Sequence, residues 1–195
     1  MIFLERTFVM LKPDSVARGL IGKSMSRFER VGLKVIALKM VHPSKELIDK
    51  HYPSTDEWYR TVGQKTLKLY KEYGLDAQKD LKTDSDIEIG KIVKKWLIDF
   101  ITSSPVVAMV LEGNHAIDNV RKIVGDTLPI HAAPGTIRGD FSIDSPDLAN
   151  MGLRSVRNLI HASGSKSEAE HEINLWFSKN ELYTYKRSEE KMMFG

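Results

Sequence analysis

Pro105-Val106-Val107-Ala108-Met109-Val110-Leu111 is the stretch that decides the fold. The run is short, rich in valine and followed by Gly113-Asn114, which reads as a turn, so it predicts a strand. It is apolar at every position rather than at alternate ones, so both of its faces should be buried. Such a strand needs partners at its edges and layers above and below. Thr7-Phe8-Val9-Met10-Leu11 is a second β-rich apolar run, Leu33 to Val41 a third, closed by His42-Pro43, and Leu159-Ile160 a short fourth that runs into His161.

Helical periods lie between these runs. Ile21, Met25 and Phe28 recur on one face, with Lys23, Arg27 and Arg30 off it, and Gly32 suits the C-terminal cap. Ser44 should cap a helix that holds Leu47 and Ile48 and ends at His51-Tyr52, where Pro53 stops it. Ile92, Trp96 and Phe100 share a face, as do Ile117, Val120 and Val124, with Arg121 beside the latter. Ser167-Glu168-Ala169-Glu170 has the form of a capping box and predicts a helix start. Ala169, Ile173, Trp176 and Phe177 form that helix's apolar face, with Glu172 just beside it. Strands alternating with helices make this an α/β chain.

Two stretches stand apart. Pro53 to Gly90 is polar, with helical pieces near Lys65 to Tyr73, and reads as an insertion with too few apolar residues for its own core. Trp58, Tyr59 and Tyr70 are candidates to pack it back onto the body. Gly125 to Phe141 is a long loop, extended by further turn residues over Ser142 to Arg154. Loops of this length in a compact domain are functional or make subunit contacts.

The 195 residues suffice for one domain, 1–195, carrying such an insertion. A net charge of +3 fits an anionic small substrate without calling for nucleic acid. The chain has no cysteine, which excludes disulfides, thiolate catalysis and cysteine metal sites. No apolar run approaches a membrane span, and Met1-Ile2-Phe3-Leu4-Glu5-Arg6 is too quickly charged for a signal peptide, so the cytoplasm is the expected compartment.

The chemistry gathers around Arg157-Asn158-Leu159-Ile160-His161-Ala162-Ser163. A histidine at a strand end sits at the rim of the core. It is either a satisfied packing residue or a nucleophile whose other ring nitrogen is held by a carboxylate such as Glu172. Pro13 stops the first strand and Asp14 or Ser15 is placed to cap a short helix, leaving Lys12 at the mouth of the sheet. Thr127 and Arg138, in the long loop, offer a hydroxyl and a guanidinium suited to phosphate oxygens. Neither a P-loop nor a dinucleotide-binding glycine pattern occurs, and His42, His51, His115, His131 and His171 are scattered, structural or exposed. One placed histidine with Lys12, Tyr52, Arg121, Thr127, Arg138 and Asn158 suits phosphoryl transfer through a phosphohistidine, with magnesium only if phosphates hold it.

These segments resemble the nucleoside diphosphate kinase family. The likeness is carried by Glu5-Arg6-Thr7-Phe8, Lys12-Pro13-Asp14, Pro105 to Gly113, Pro134-Gly135-Thr136-Ile137-Arg138-Gly139-Asp140-Phe141 and Asn158 to Ser163, in the family's order. The resemblance implies a ferredoxin-like sandwich: an antiparallel four-stranded sheet in βαββαβ order, covered by helices. It implies reversible, ping-pong transfer of a terminal phosphate between nucleoside di- and triphosphates, with Mg2+ held on the nucleotide phosphates. His161 resembles the nucleophile, Glu172 and Ser163 the residues that orient it. Lys12, Tyr52, Arg121, Thr127 and Arg138 resemble the phosphate ligands, and Asn158 with Lys12 the ribose ligands. A homo-oligomer, hexamer or tetramer, is also implied, with the loop near Pro129 contributing. Two features depart from the pattern: the family's base-stacking aromatic aligns with Val93, and Ser142 to Arg154 is longer. The alternative is a nucleotide- or nucleic-acid-binding scaffold on the same fold, using the lysines of 65–71 and 91–95.

Overall fold

The computed structural model describes residues 4–194; of Met1 to Arg6, read as too quickly charged for a signal peptide, the first three lie outside the described residues. Four strands, β1 (Leu4–Leu11), β2 (Lys34–Val41), β3 (Val106–Asn114) and β4 (Ile160–Ala162), form one sheet in the order β2-β3-β1-β4. Every neighbouring pair is antiparallel, the ferredoxin-like arrangement. β3 does not turn at Gly113-Asn114. β1 begins early enough to pair Leu4 with Asn114 and Glu5 with Gly113, so the reversal comes at His115, where φ is +46°.

Alternation along the two central strands divides the core. Val9 and Leu11 with Val107, Met109 and Leu111 face α2 (Ile21–Arg30) and α7 (Ala116–Val124), where Phe28, Val120 and Val124 join them. Phe8 and Met10 with Val106, Ala108 and Val110 face α3 (Lys45–His51), the end of α6 (Asp86–Ile101) and α10 (Lys166–Trp176). The uninterrupted apolar run thus has helices on both sides, which is why no polar residue appears in it. Each fully buried aliphatic side chain here contributes about 1.5–3 kcal/mol.

Capping follows the sequence in part. Ser44 Oγ accepts the Leu47 N–H at the start of α3, as expected. At α10 the cap is Ser165, not Ser167: Ser165 Oγ accepts from Glu168 N–H, and the Glu168 carboxylate returns to Gly164 N–H at 2.6 Å. The cap sits two residues earlier because the chain turns into the helix as soon as it leaves β4. At α1 (Pro13–Ala17) neither Asp14 nor Ser15 caps; Pro13 takes the first helical position and both side chains reach β4's approach instead.

The segment from 53 to 90 forms α4 (Asp56–Glu72), α5 (Ala77–Leu81) and the start of α6. Its first helix begins nine residues before the periodicity at Lys65, because Thr55 Oγ1 caps it by accepting Trp58 N–H. α4 and α6 lie backbone to backbone: a Cβ on Gly63 would meet Asp86 O at 1.8 Å, and one on Gly90 would meet Tyr59 O at 2.1 Å. Contrary to expectation, this hairpin has a small core of its own, in which Tyr70, Ala77, Leu81 and Ile89 are buried. Val93 packs against that cluster. The stretch Gly125 to Phe141, read as a loop, ends in a short helix, α8 (Ile137–Phe141), because Thr136 Oγ1 caps it by accepting Gly139 N–H. The stretch Ser142 to Arg154 folds α9 (Pro146–Met151), which touches α4, and the bidentate Arg154–Asp144 pair closes it. Among the described residues no helix is long and apolar enough to cross a membrane.

Candidate active site

β4 pairs with β1 so that His161 lies opposite Met10 at the sheet's edge. The approach to it is unusual. Leu159 has φ +67°, and Ile160 N–H reaches back to Asn158 O at 2.8 Å, a γ-turn that a branched side chain rarely accepts. Neighbouring groups hold this peptide in place. Leu159 N–H donates to Asp14 Oδ2, while its carbonyl accepts from Lys12 N–H and Ser15 Oγ. The turn aims the next residues into the cleft.

Behind the histidine, Glu172 comes forward from α10 and is buried rather than flanking the face. Its Oε1 is 2.7 Å from His161 Nε2, and its Oε2 accepts from Ser163 Oγ at 2.6 Å. Phe8 N–H donates to the same serine oxygen, which ties the relay to β1. The ring is one-fifth exposed, enough to open one edge to a ligand. With Nε2 held by a carboxylate, the proton sits on Nε2 and the Nδ1 lone pair is the free one.

That open edge faces a cavity of about 330 Å³ whose walls include Lys12, Tyr52, Arg121, Thr127, Arg138 and Asn158. The structure therefore brings together all six residues that the sequence nominated for phosphate and ribose. Lys12 is buried, and its Nζ donates to Asn158 Oδ1 at 2.7 Å; Asn158 Nδ2 continues to Thr127 O. Burial, then the Arg138 charge, brings the Lys12 pKa down from 10.5 to about 8. Arg138 is buried too, and burial lowers its pKa to about 10. Its guanidinium donates to Asn158 O, Gly125 O, Asp126 O and Ile160 O, which leaves one of its five N–H groups for a ligand. It clamps the long loop to β4 as well as lining the cleft. Burial, then Glu172, keeps the Tyr52 hydroxyl protonated by raising its pKa.

Two contributors escaped the sequence reading. Leu97, one turn beyond Val93 on α6, supplies an apolar wall of the same cavity. His51, read as scattered, is buried against the site: its ring meets His161 edge-on at 4.7 Å between centroids. Nothing in its sequence neighbourhood marks that contact, which arises only when α3 packs against β4 and α10.

His161 thus has one ring nitrogen held by Glu172 and an open edge toward a cleft lined by Lys12, Arg121 and Arg138. A model of the nucleoside diphosphate kinase family matches residues 5–66 and 86–182 and leaves out the tip of the α4–α6 hairpin. The chain is 55% identical over 179 residues to the nucleoside diphosphate kinase of Pyrobaculum aerophilum, covering 92% of this chain and 98% of that one. It is 42% identical over 184 residues to that of Pyrococcus horikoshii, covering 94% and 92%. The crystal structure of the P. aerophilum enzyme superposes with a TM-score of 0.91 at 53% identity, covering 93% of this chain and 100% of that one. A transition-state mimic of the Borrelia burgdorferi enzyme with bound vanadate and ADP superposes with a TM-score of 0.76 at 40% identity, covering 97% and 96%. The chain belongs to the nucleoside diphosphate kinase family.

Proposed function

We infer that this protein is a nucleoside diphosphate kinase, moving the terminal phosphate of a nucleoside triphosphate to a nucleoside diphosphate through phosphorylated His161. The observation that carries the reading is the His161–Glu172–Ser163 relay opening onto the cationic cavity. The Nδ1 lone pair attacks the γ-phosphorus, and the bond to the bridging oxygen breaks, releasing the diphosphate. Glu172 offsets the positive charge that develops on the ring, and Ser163 keeps the carboxylate in line. In the second half-reaction a β-phosphate oxygen of another diphosphate attacks the phosphohistidine and Nδ1 leaves. Lys12, Arg121 and Arg138, with the Thr127 and Tyr52 hydroxyls, neutralise the equatorial oxygens. Asn158 and Lys12 meet the ribose.

Donors in the cleft are mostly cations and hydroxyls, with Asp126 a carboxylate on its wall. That set fits a magnesium ion held chiefly by the nucleotide phosphates, with Asp126 the carboxylate on the cavity wall that could hold one of its waters. When bound, the ion supplies further neutralisation of phosphate charge. Leu97 gives the base an apolar contact where Val93 cannot. We read the chain as one domain, 1–195, with the 53–90 insertion and the 142–154 extension, working in the cytoplasm, where its substrates are held. We also propose a hexamer or tetramer with the Pro129 loop at a contact, supported by the exposure of Ile130 beside it; sedimentation reads this directly. The scaffold alternative gains nothing from the lysines of α6, since Lys91, Lys94 and Lys95 pair with Glu88, Asp49 and Asp99.

γ-Labelled triphosphate should label the protein at one acid-labile site. His161→Ala should abolish both the label and turnover, a fall on the order of 10⁴-fold or more. Turnover retained in that variant rejects the assignment.

A further inference from the structure

We propose that His51, His161 and Glu172 form an inhibitory site for a borderline transition-metal ion such as Zn2+, entered from the side of the imidazole opposite the phosphate cleft. His161 stands between two cavities. The second, of about 650 Å³, is lined by all three of these residues, with His171 and Glu168 nearer its mouth. A ligand atom from each of the three lies within 4.8 Å of the other two. Glu172 Oε1 is 2.7 Å from His161 Nε2 and 3.7 Å from His51 Nδ1. Tetrahedral zinc with bonds near 2.0–2.1 Å places its ligand atoms about 3.3 Å apart, between those two separations. Two imidazoles and a carboxylate are a donor set that zinc takes and magnesium, which demands oxygen ligands, does not. The fourth position faces the cavity.

His51 itself points to a missing partner. Trp176 Nε1–H donates to its Nδ1 at 3.3 Å, so that nitrogen carries a lone pair, and a carboxylate oxygen faces it without a proton between them. Its Nε2 is buried and has no hydrogen-bond partner among the described residues. A cation between Nδ1 and Glu172 would bridge these two electron-rich atoms, taking over the Nδ1 lone pair as Trp176 releases its long hydrogen bond.

The consequence for the reaction follows from tautomerism and rests on the phosphohistidine reading above. A neutral imidazole has one ring proton. Metal at Nε2 leaves that proton on Nδ1, where it occupies the lone pair that attacks phosphorus. Glu172 meanwhile neutralises the metal rather than the ring. Nucleotide enters from the other cavity, so inhibition should not be relieved by substrate.

The test titrates the full-length enzyme with buffered free Zn2+ at saturating magnesium nucleotide, following phosphoenzyme formation, and repeats it with His51→Gln against that variant's own zinc-free rate. Expected are inhibition that is noncompetitive with nucleotide and at least a tenfold weaker zinc response in the variant. An unchanged zinc response in His51→Gln, or competitive inhibition, overturns the proposal. Should the variant fail to fold, zinc-soaked crystals of the unaltered enzyme decide it: anomalous density between the two rings and Glu172 supports the site, and its absence at millimolar zinc overturns it. Labelling without zinc reports separately on the catalytic reading.

Discussion

Lys12 and Lys34 are the same residue type, almost equally buried, at opposite flanks of one sheet, and their charges are treated in opposite ways. Lys34, on β2, donates to Glu190 and Tyr185 O and lies 3.1 Å from Glu112 Oε1. Burial works against its charge, but Glu190 and Glu112 outweigh it, and the pKa is raised. Lys12, beside β4, has neutral Asn158 as its hydrogen-bond partner and Arg138 as a neighbour, and its pKa falls. A cation matched by carboxylates is a structural pair. A cation buried among other cations is held ready for an anion that arrives later, and the fold bears the cost of its desolvation until then. The β4 edge is held without carboxylate–lysine pairs: Arg138 takes the Ile160 carbonyl, and Asp14 and Ser15 hold the Leu159 peptide. The β2 edge is held by ion pairs from the C-terminal segment, such as Lys39–Glu181 and Lys34–Glu190.

This contrast is sharpest at Glu172. Replacing it with Gln keeps the shape but removes the charge that stabilises the ring cation, so kcat should fall roughly 10²–10³-fold with little change in KM. A KM effect alone, from pre-steady-state and steady-state kinetics, would move Glu172 from orienting the histidine to binding nucleotide. Arg138→Lys should come next. A lysine cannot meet four carbonyls, so we expect a stability loss of roughly 3 kcal/mol in denaturant unfolding together with weaker nucleotide binding. If affinity falls and stability does not, the clamp is not structural.

The Lys12 effect is smaller and depends on pH. Above about pH 8 the free enzyme holds this lysine neutral, so kcat/KM should decline by up to about tenfold per pH unit. The kcat should hold to higher pH, because bound phosphate restores the proton. The stability sign is opposite. Between about 8 and 10.5 the unfolded chain binds more protons at this site, so the ligand-free protein gains stability from Lys12 as pH rises through that window. A kcat/KM that stays flat to pH 10 breaks the comparison with Lys34. Least of all should Lys34→Gln matter to the reaction: Lys34 lies on the far flank of the sheet and one of its two carboxylates, Glu190, is partly exposed, so about 1 kcal/mol is expected in thermal unfolding, with kcat unchanged.

Much of this was legible in the residues. The strand at 105–111 was marked by an unbroken apolar run, those at 7–11 and Leu159-Ile160 by shorter ones, and the helix faces of α2 and α7 by their period; β4 itself falls one residue later, at Ile160–Ala162. The six cleft residues were nominated by side-chain type and family resemblance. What escaped reading depended on encounters between distant segments. Ser165 rather than Ser167 caps α10 because of where β4 releases the chain, and Asp14 leaves its own helix to hold Leu159, 145 residues away.

By itself, the sequence determined which residues are apolar and with what period, and therefore the four strands and the main helices that cover them, though not the short helices of the 125–154 stretch. Those are local properties, set by side-chain size and polarity along a few turns of chain. Only the tertiary structure decided that Glu172 would be buried against His161, that His51 would share its carboxylate, and that Lys12 and Lys34 would titrate in opposite directions. Each of these depends on which charges and dipoles lie within a few ångströms once the sheet has closed, and Coulomb and desolvation energies vary with distance in space rather than in sequence.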